Sequence, residues 1–236
     1  MSLLKGTRVT WLGHATVLVQ LPSGINLLID PFIEHNPKFP RDFVLPEKID
    51  YILTTHGHMD HTADVIPIAH RHGATVLAMV ELAGYFAAKG VASTIGFNLG
   101  GTVQLPGVGV TLVEAKHSSS IDEGGVTLYL GVAAGVVLTV ADGPVLYHAG
   151  DTSVFGDMQL IRELYAPDVA MLPIGDHYTM GPKEAALAAR LLQPRLILPI
   201  HWGTFPALTG TPQELAKLVS DPETVALVRP GESLES

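Results

Sequence analysis

The sequence contains no cysteine in its 236 residues, so it has neither a disulfide framework nor a thiolate metal ligand. Any metal it binds must be held by histidine and carboxylate. A membrane-length apolar run is missing too. The longest candidate, Leu130 to Ala141, is interrupted by glycines and falls short of the ~20 residues a spanning helix needs. Met1 to Gln20 carries His14 and Gln20 inside its apolar pattern and lacks a small-residue cleavage site, so it does not read as a signal peptide. A cytoplasmic protein without a membrane anchor is the expectation. Basic residues are scarce: 14 Lys and Arg face 23 Asp and Glu, for a formal charge of −9. No basic run is available to neutralise a row of phosphates, which argues against a nucleic-acid polymer as partner and for a small molecule. There is no Gly-x-Ser-x-Gly elbow, so the usual covalent routes have no signature. The glycine pairs Gly100-Gly101 and Gly124-Gly125 precede no helix in a βα unit and read as turns, not phosphate loops.

Hydrophobic residues make up 47% of the chain and charged residues 16%, enough apolar material for a large core in one domain spanning 1–236. That content also permits association into a homo-oligomer. Short β-branched runs recur at Val9–Leu12, Val17–Gln20, Asn26–Ile29, Tyr51–Thr54, Thr75–Ala78, Val110–Val113, Val126–Leu130, Val136–Val140, Val145–Tyr147, Val169–Leu172 and Leu196–Pro199. Helical patterns fall between some of them, at Ala63–His72, Glu81–Lys89, Met158–Tyr165, Lys183–Leu192 and Pro212–Val219. The Gly-rich stretch Gly96–Gly109 reads as a connection followed by a hairpin. N-terminal hairpins followed by strand–helix alternation predict two sheets packed face to face with helices outside. This is an α/β, four-layer αβ/βα sandwich in which each half supplies one sheet.

The segment Tyr51-Ile-Leu-Thr-Thr-His56-Gly-His58-Met-Asp60-His61 is an apolar strand running into a turn with four metal-ligating side chains in six positions. His56 and His58, two apart in extended chain, face the same side, whereas Asp60 and His61 enter the first helical turn and point to a second position. Imidazole nitrogen and carboxylate oxygen are what a borderline cation such as Zn²⁺ takes. The plainer alternative is a solvated strand-to-helix turn with Asp60 as the helix cap.

His56-Gly-His58-Met-Asp60-His61 resembles the His-x-His-x-Asp-His signature of the metallo-β-lactamase superfamily. In that family a third histidine, a bridging aspartate and a last histidine follow in order. His117 in Lys116-His117-Ser-Ser-Ser, Asp151 in His148-Ala-Gly-Asp151-Thr, and His201 in Pro-Ile-His201-Trp-Gly-Thr stand at comparable places, each just after an apolar strand. Trp11-Leu-Gly-His14-Ala-Thr and Leu172-Pro-Ile-Gly-Asp-His177-Tyr178-Thr-Met-Gly-Pro182 are further similar to the ascorbate-6-phosphate lactonases and a set of uncharacterised bacterial metal-dependent hydrolases.

The resemblance implies that His56, His58 and His117 hold one divalent ion and Asp60, His61 and His201 another, with Asp151 bridging. Zn²⁺ is the first choice, and Mn²⁺ or Fe²⁺ suit the same donors. Two ions about 3.5–4 Å apart can hold a bridging hydroxide and polarise the bond it attacks. The expected reaction is hydrolysis of a small ester, lactone or phosphoester. Asp60 is the candidate proton acceptor, His177 the first candidate to protonate the leaving group or steady an oxyanion, and His14 the second. Tyr178 can donate a hydrogen bond to substrate; His148 is read as orienting the site, and His70 and His72 as a helix C-terminal pair. Three rival functions carry different signatures: a small-molecule phosphodiesterase, a di-iron oxidoreductase on the same donors, and a scaffold that has lost its metal. The last is disfavoured because all seven proposed ligands are present.

Overall fold

The chain builds one motif twice. A computed structural model describes residues 3–234; residues 1–2 and 235–236, the ends of the expected 1–236 span, lie outside it. In the first half β1 (Arg8–Trp11), β2 (Val17–Gln20) and β3 (Asn26–Ile29) pair as antiparallel hairpins. They continue in parallel through β4 (Tyr51–Leu53), β5 (Thr75–Met79) and β6 (Thr94–Phe97), giving a sheet in sequence order. Helices α1 (Met59–Thr62), α2 (Val65–His72) and α3 (Val80–Ala88) fill the parallel connections.

The second half begins with β7 (Thr102–Leu105) and β8 (Val108–Glu114). A separate hairpin of β9 (Ser120–Glu123) and β10 (Val126–Tyr129) follows, and then β11 (Ala134–Val140) and β12 (Val145–His148). Its parallel part is β12, α4 (Met158–Tyr165), β13 (Val169–Pro173), α5 (Pro182–Leu192) and β14 (Leu196–Ile200), ordered β14-β13-β12-β11-β8-β7 across the sheet. A short α6 (Pro212–Ala216), with a Thr211/Glu214 capping box, comes after β14.

Strand periodicity places the core. Val136 and Leu138 of β11 face the first sheet, whose inward face by register carries Leu27, Leu53 and Leu77, while Val137 points outward with Ala170 and Leu172 against Ala185, Ala188 and Leu192 of α5. On the other side Leu82, Ala83 and Phe86 of α3 are buried over β5 and β6. The result is helices, sheet, sheet, helices, as the sequence predicts. Among the described residues no helix is long and apolar enough to cross a membrane.

Where the structure departs from the sequence reading, local physics explains it. The helix expected over Ala63–His72 begins only at Val65, because Asp64 leaves helical geometry (φ −103°, ψ 7°) and its carboxylate accepts from the Ile33 and Glu34 amides at 2.6 and 3.2 Å. The helix expected to reach Val219 stops at Ala216. Strands β6 and β9 are short and lie half exposed with no burial period to mark them, whereas β7 alternates and falls within the hairpin expected over Gly96–Gly109.

One segment ties the two sheets together. Residues 225–234 run along both outer edges: Ala226 N donates to Ile197 O at 2.8 Å beside β14. Further on, Trp11 N donates to Glu232 O at 3.1 Å and Leu234 N to Val9 O at 2.9 Å beside β1. Edge groups that would otherwise stand unpaired are thereby satisfied.

Candidate metal centre

The ends of six strands, β1, β3, β4, β8, β12 and β14, converge between the sheets. After β4 the backbone passes Thr54 and Thr55 and delivers His56, Gly57 and His58, the last being the extended N-cap of α1 (φ −61°, ψ 147°). His56 Nε2 and His58 Nδ1 lie 3.0 Å apart, so the pair faces one point as the two-residue spacing predicts. Gly57 suits this place, because a Cβ would come within 3.1 Å of the Ser120 backbone and push it away. That close approach lets the loop after β8 bring His117 in, its ring edge-on and 5.1 Å from both His56 and His58.

Asp60 is the second residue of α1 and makes no cap; its Oδ2 lies 3.0 Å from His14 Nε2 and 3.9 Å from His201 Nε2. His61, one residue further, is buried and turns inward. After β12, Gly150 adopts φ +62°, where a Cβ would meet Ala134 O at 2.7 Å, and so aims Asp151 at the centre. Asp151 Oδ2 lies 3.0 Å from His201 Nε2, 3.4 Å from His61 Nε2, 3.7 Å from His117 Nε2 and 3.9 Å from His56 Nε2. One buried carboxylate thus faces histidines from both halves. His14, Asp30 and His201 all take left-handed backbone (φ 54°, 46° and 54°), which places three strained non-glycine residues around one site.

The seven residues named from the sequence as metal ligands are therefore brought together. Ligand atoms of His56, His58 and His117 lie within 4.8 Å of one another, and so do those of Asp60, His61, His201 and His14. His61 Nε2, Asp151 Oδ1 and both nitrogens of His201 are buried without a hydrogen-bond partner. Unpaired buried polar atoms are costly, and a cation at the centre would satisfy His61 Nε2, Asp151 Oδ1 and His201 Nε2, the nitrogen that faces Asp151. The residues present fit a metal.

Charge is arranged accordingly. Burial lowers His56, aided by the neighbouring His61, and burial likewise lowers His58 and His117. These are the neutral imidazoles that ligate metal. His61 goes the other way: burial opposes its charging, but Asp151 and Asp30 on its two sides outweigh burial and raise it well above the ordinary value. Asp151 is held well below the carboxylate range by His201 and His61 against the effect of burial.

Residues not singled out in the sequence hold this set in place. Asp30, fully buried at the end of β3, takes His61 Nδ1 at 2.8 Å, Thr55 N at 2.8 Å and Thr55 Oγ1 at 2.7 Å. Thr55 Oγ1 in turn lies 3.0 Å from His56 Nδ1. One carboxylate orients histidines of both donor groups. The signal that would have found it is the rule applied to the other ligands: a polar residue just past the carboxyl end of an apolar strand. Ser118 Oγ meets His58 Nε2 at 3.3 Å, and Thr204 Oγ1 meets His14 Nδ1 at 2.9 Å.

The expected proton carriers are placed differently from one another. His14 is wholly buried behind Asp60 and is pushed down to about 4 by burial and by His201. His177 is exposed on the loop after β13 with its ring 4.4 Å from Tyr178, and it is Tyr178 that lines the central cavity. His148 is buried, its Nε2 on Ala15 O at 2.9 Å and its Nδ1 accepting from Gly150 N at 3.1 Å, so it fixes the turn before Asp151. His70 and His72 bond backbone carbonyls of Gly90 and Glu47, and neither belongs to a donor group of the centre.

Residues 25–202 match the Beta-lactamase superfamily domain. The chain is 49% identical to a UPF0173 metal-dependent hydrolase of Rubrobacter xylanophilus over 99% of its own length and 98% of the relative's. It is 48% identical to one of Herpetosiphon aurantiacus over 98% of each. Among solved structures it is similar to Igni18, a metallo hydrolase from Ignicoccus hospitalis, with a TM-score of 0.85, 37% identity and 97% of each chain covered. The chain therefore belongs to the UPF0173 metal-dependent hydrolases of the metallo-β-lactamase superfamily.

Proposed function

We propose that this metal-dependent hydrolase works with two divalent ions on a small ester, lactone or phosphoester. The observation that carries the reading is the set of unpaired buried atoms on His61, Asp151 and His201, shared between two donor groups that meet at Asp151. Zn²⁺ suits the donors best, Mn²⁺ and Fe²⁺ also match, and a pair of such ions polarises a scissile bond and brings the pKa of water toward neutrality. His56, His58 and His117 would hold one ion, Asp60, His61 and His201 the other, and Asp151 both.

The chain's own groups then divide the proton work. Asp60, ionised and partly open to the cavity, takes the proton of the attacking water and returns it to the leaving group. Its carboxylate is held below the ordinary range, against burial, by the hydrogen bond from His14 and by the charge of His61. His14 is thus a positioning residue: Thr204 O–H donates to Nδ1, and Nε2–H donates to Asp60. Tyr178 O–H can donate to the substrate from the cavity wall. His177 reaches substrate only through that neighbour.

The test is metal content and turnover together. Protein purified without chelators should carry about two divalent ions per chain. Loaded with Zn²⁺ or Mn²⁺, it should hydrolyse at least one class in a panel of lactones, phosphodiesters and β-lactams. The lactones come first because Trp11–Thr16 and Leu172–Pro182 resemble phrases of the ascorbate-6-phosphate lactonases. Asp151→Asn should abolish that rate. A protein that binds no metal, or whose turnover survives the substitution, would sink the reading.

A further inference from the structure

The cavity over the donors has a composition of its own. Its volume is about 630 Å³, within the range of small-molecule sites. The floor is the metal-ligating set, and the wall is made by Met59, Tyr178, Phe205, Pro206 and Ala207, with the Ser118 hydroxyl at one edge. Among the described residues, no lysine or arginine lines it. Of the cations nearest the site, Lys116 pairs with Glu114, and Lys38, beside Gly203, does not line the cavity. Phosphate and carboxylate groups are normally met by Arg forks, lysines or converging amides. Nothing on this wall offers a counter-charge, and the chain as a whole is acidic.

The apolar wall is also unexplained by folding. Met59 is 63% exposed and Tyr178 58% exposed, on opposite elements, α1 and the loop after β13, yet both border this one cavity. Large apolar side chains left in water around a concave site mark the place where a ligand's apolar surface is buried. Met and Tyr suit the task, one by conforming to irregular shapes and the other by combining an aromatic face with a hydroxyl.

We propose that the substrate is an uncharged ester or lactone carrying an apolar arm that lies along Met59, Tyr178 and Phe205, the reacting carbonyl lying over the donors. This rests on the hydrolase reading and narrows it by excluding substrates whose remote end is anionic.

The experiment compares three γ-lactones on zinc-loaded protein: one with a methyl arm, one with a butyl arm, and one whose butyl arm ends in a carboxylate. Binding of the three matching lactams, which report the wall without bond cleavage, is followed by NMR shift perturbation. The butyl arm should raise both kcat/KM and lactam affinity about tenfold over methyl, because a half-open wall buries only part of three methylenes. The terminal carboxylate should cancel the gain. Met59→Lys, at an exposed helix position, should favour the carboxylated arm over the butyl arm by at least about fivefold relative to wild type. Lactam discrimination without lactone turnover would overturn the hydrolase reading for lactones and leave the wall assignment standing. Equal or better binding and turnover of the carboxylated arm in the wild type would overturn the wall assignment.

Discussion

Four donors of the first half, His56, His58, Asp60 and His61, come from one six-residue stretch that runs from the loop after β4 into α1, whereas the second half supplies three from the ends of three strands, β8, β12 and β14. The first set is positioned by local backbone geometry, and only the docking of the two sheets brings the second set to it. Asp30 belongs to the first half and holds His61 directly and His56 through Thr55. Asp151 belongs to the second and faces histidines of both. A pre-shaped half and an assembled half should therefore fail differently.

The largest effect is expected where the halves meet. Asp151→Asn removes the one carboxylate common to both donor groups and should lower kcat/KM on the order of a thousandfold, by analogy with the loss of a buried transition-state partner. Steady-state kinetics with metal analysis reads this. Asp30→Asn leaves every proposed ligand in place and disturbs only their orientation. It should weaken metal binding about 10- to 100-fold, measured by competition with a chromophoric chelator. If the loss fell on one ion alone, Asp30 would serve one donor group and not two.

Glycine substitutions separate the halves structurally. Gly150→Ala forces a side chain into left-handed backbone with a 2.7 Å contact to Ala134 O, and should cost about 1–3 kcal/mol in urea unfolding. Gly57→Ala is free of that backbone penalty and meets the Ser120 backbone at 3.1 Å, so its cost should be about 1 kcal/mol, with a larger effect on activity because it moves His117 away from His56 and His58. Equal effects on activity would remove the distinction.

The smallest effect is in pH dependence and has opposite signs at His148 and at His61 in the metal-free protein. His148 is lowered in the fold by burial, so below about 6.5 the unfolded chain binds a proton the native state refuses, and stability falls on acidification. His61 is raised in the fold because Asp151 and Asp30 outweigh burial, so its contribution is complete below the unfolded value and is lost as pH rises through the folded one. Urea midpoints against pH should give a maximum near neutrality. Saturating Zn²⁺ should abolish the alkaline limb, since a ligated His61 carries no proton to lose.

What could be read from the sequence follows the same division. The dense turn from His56 to His61 is legible because its geometry is local: two residues apart in extended chain, then a helical turn. The two-sheet layering is legible from strand periodicity at positions such as Val136, Val137 and Leu138. Asp30 is marked only as a polar residue past the end of an apolar strand; its hold on His61 depends on β3 lying beside β4. The loop after β13 is another such case. Asp176 and His177 both take left-handed backbone (φ 67° and 59°), and that double turn carries Tyr178 to the cavity and leaves His177 outside, a choice no residue pattern announces. His14 was visible as a polar residue in an apolar context, but its bond to Asp60 spans 46 residues of chain.

The 225–234 segment has a consequence for the order of events during synthesis. It pairs with β14 and with β1, which stand at the outer edges of different sheets, so neither edge is closed until this stretch has left the ribosome. Trp11, whose backbone it grips, lies three residues before His14, the partner of Asp60. A nascent chain that lacks residues 225–234 therefore still presents two open strand edges, one on each sheet, and a Trp11–His14 turn without its backbone anchor.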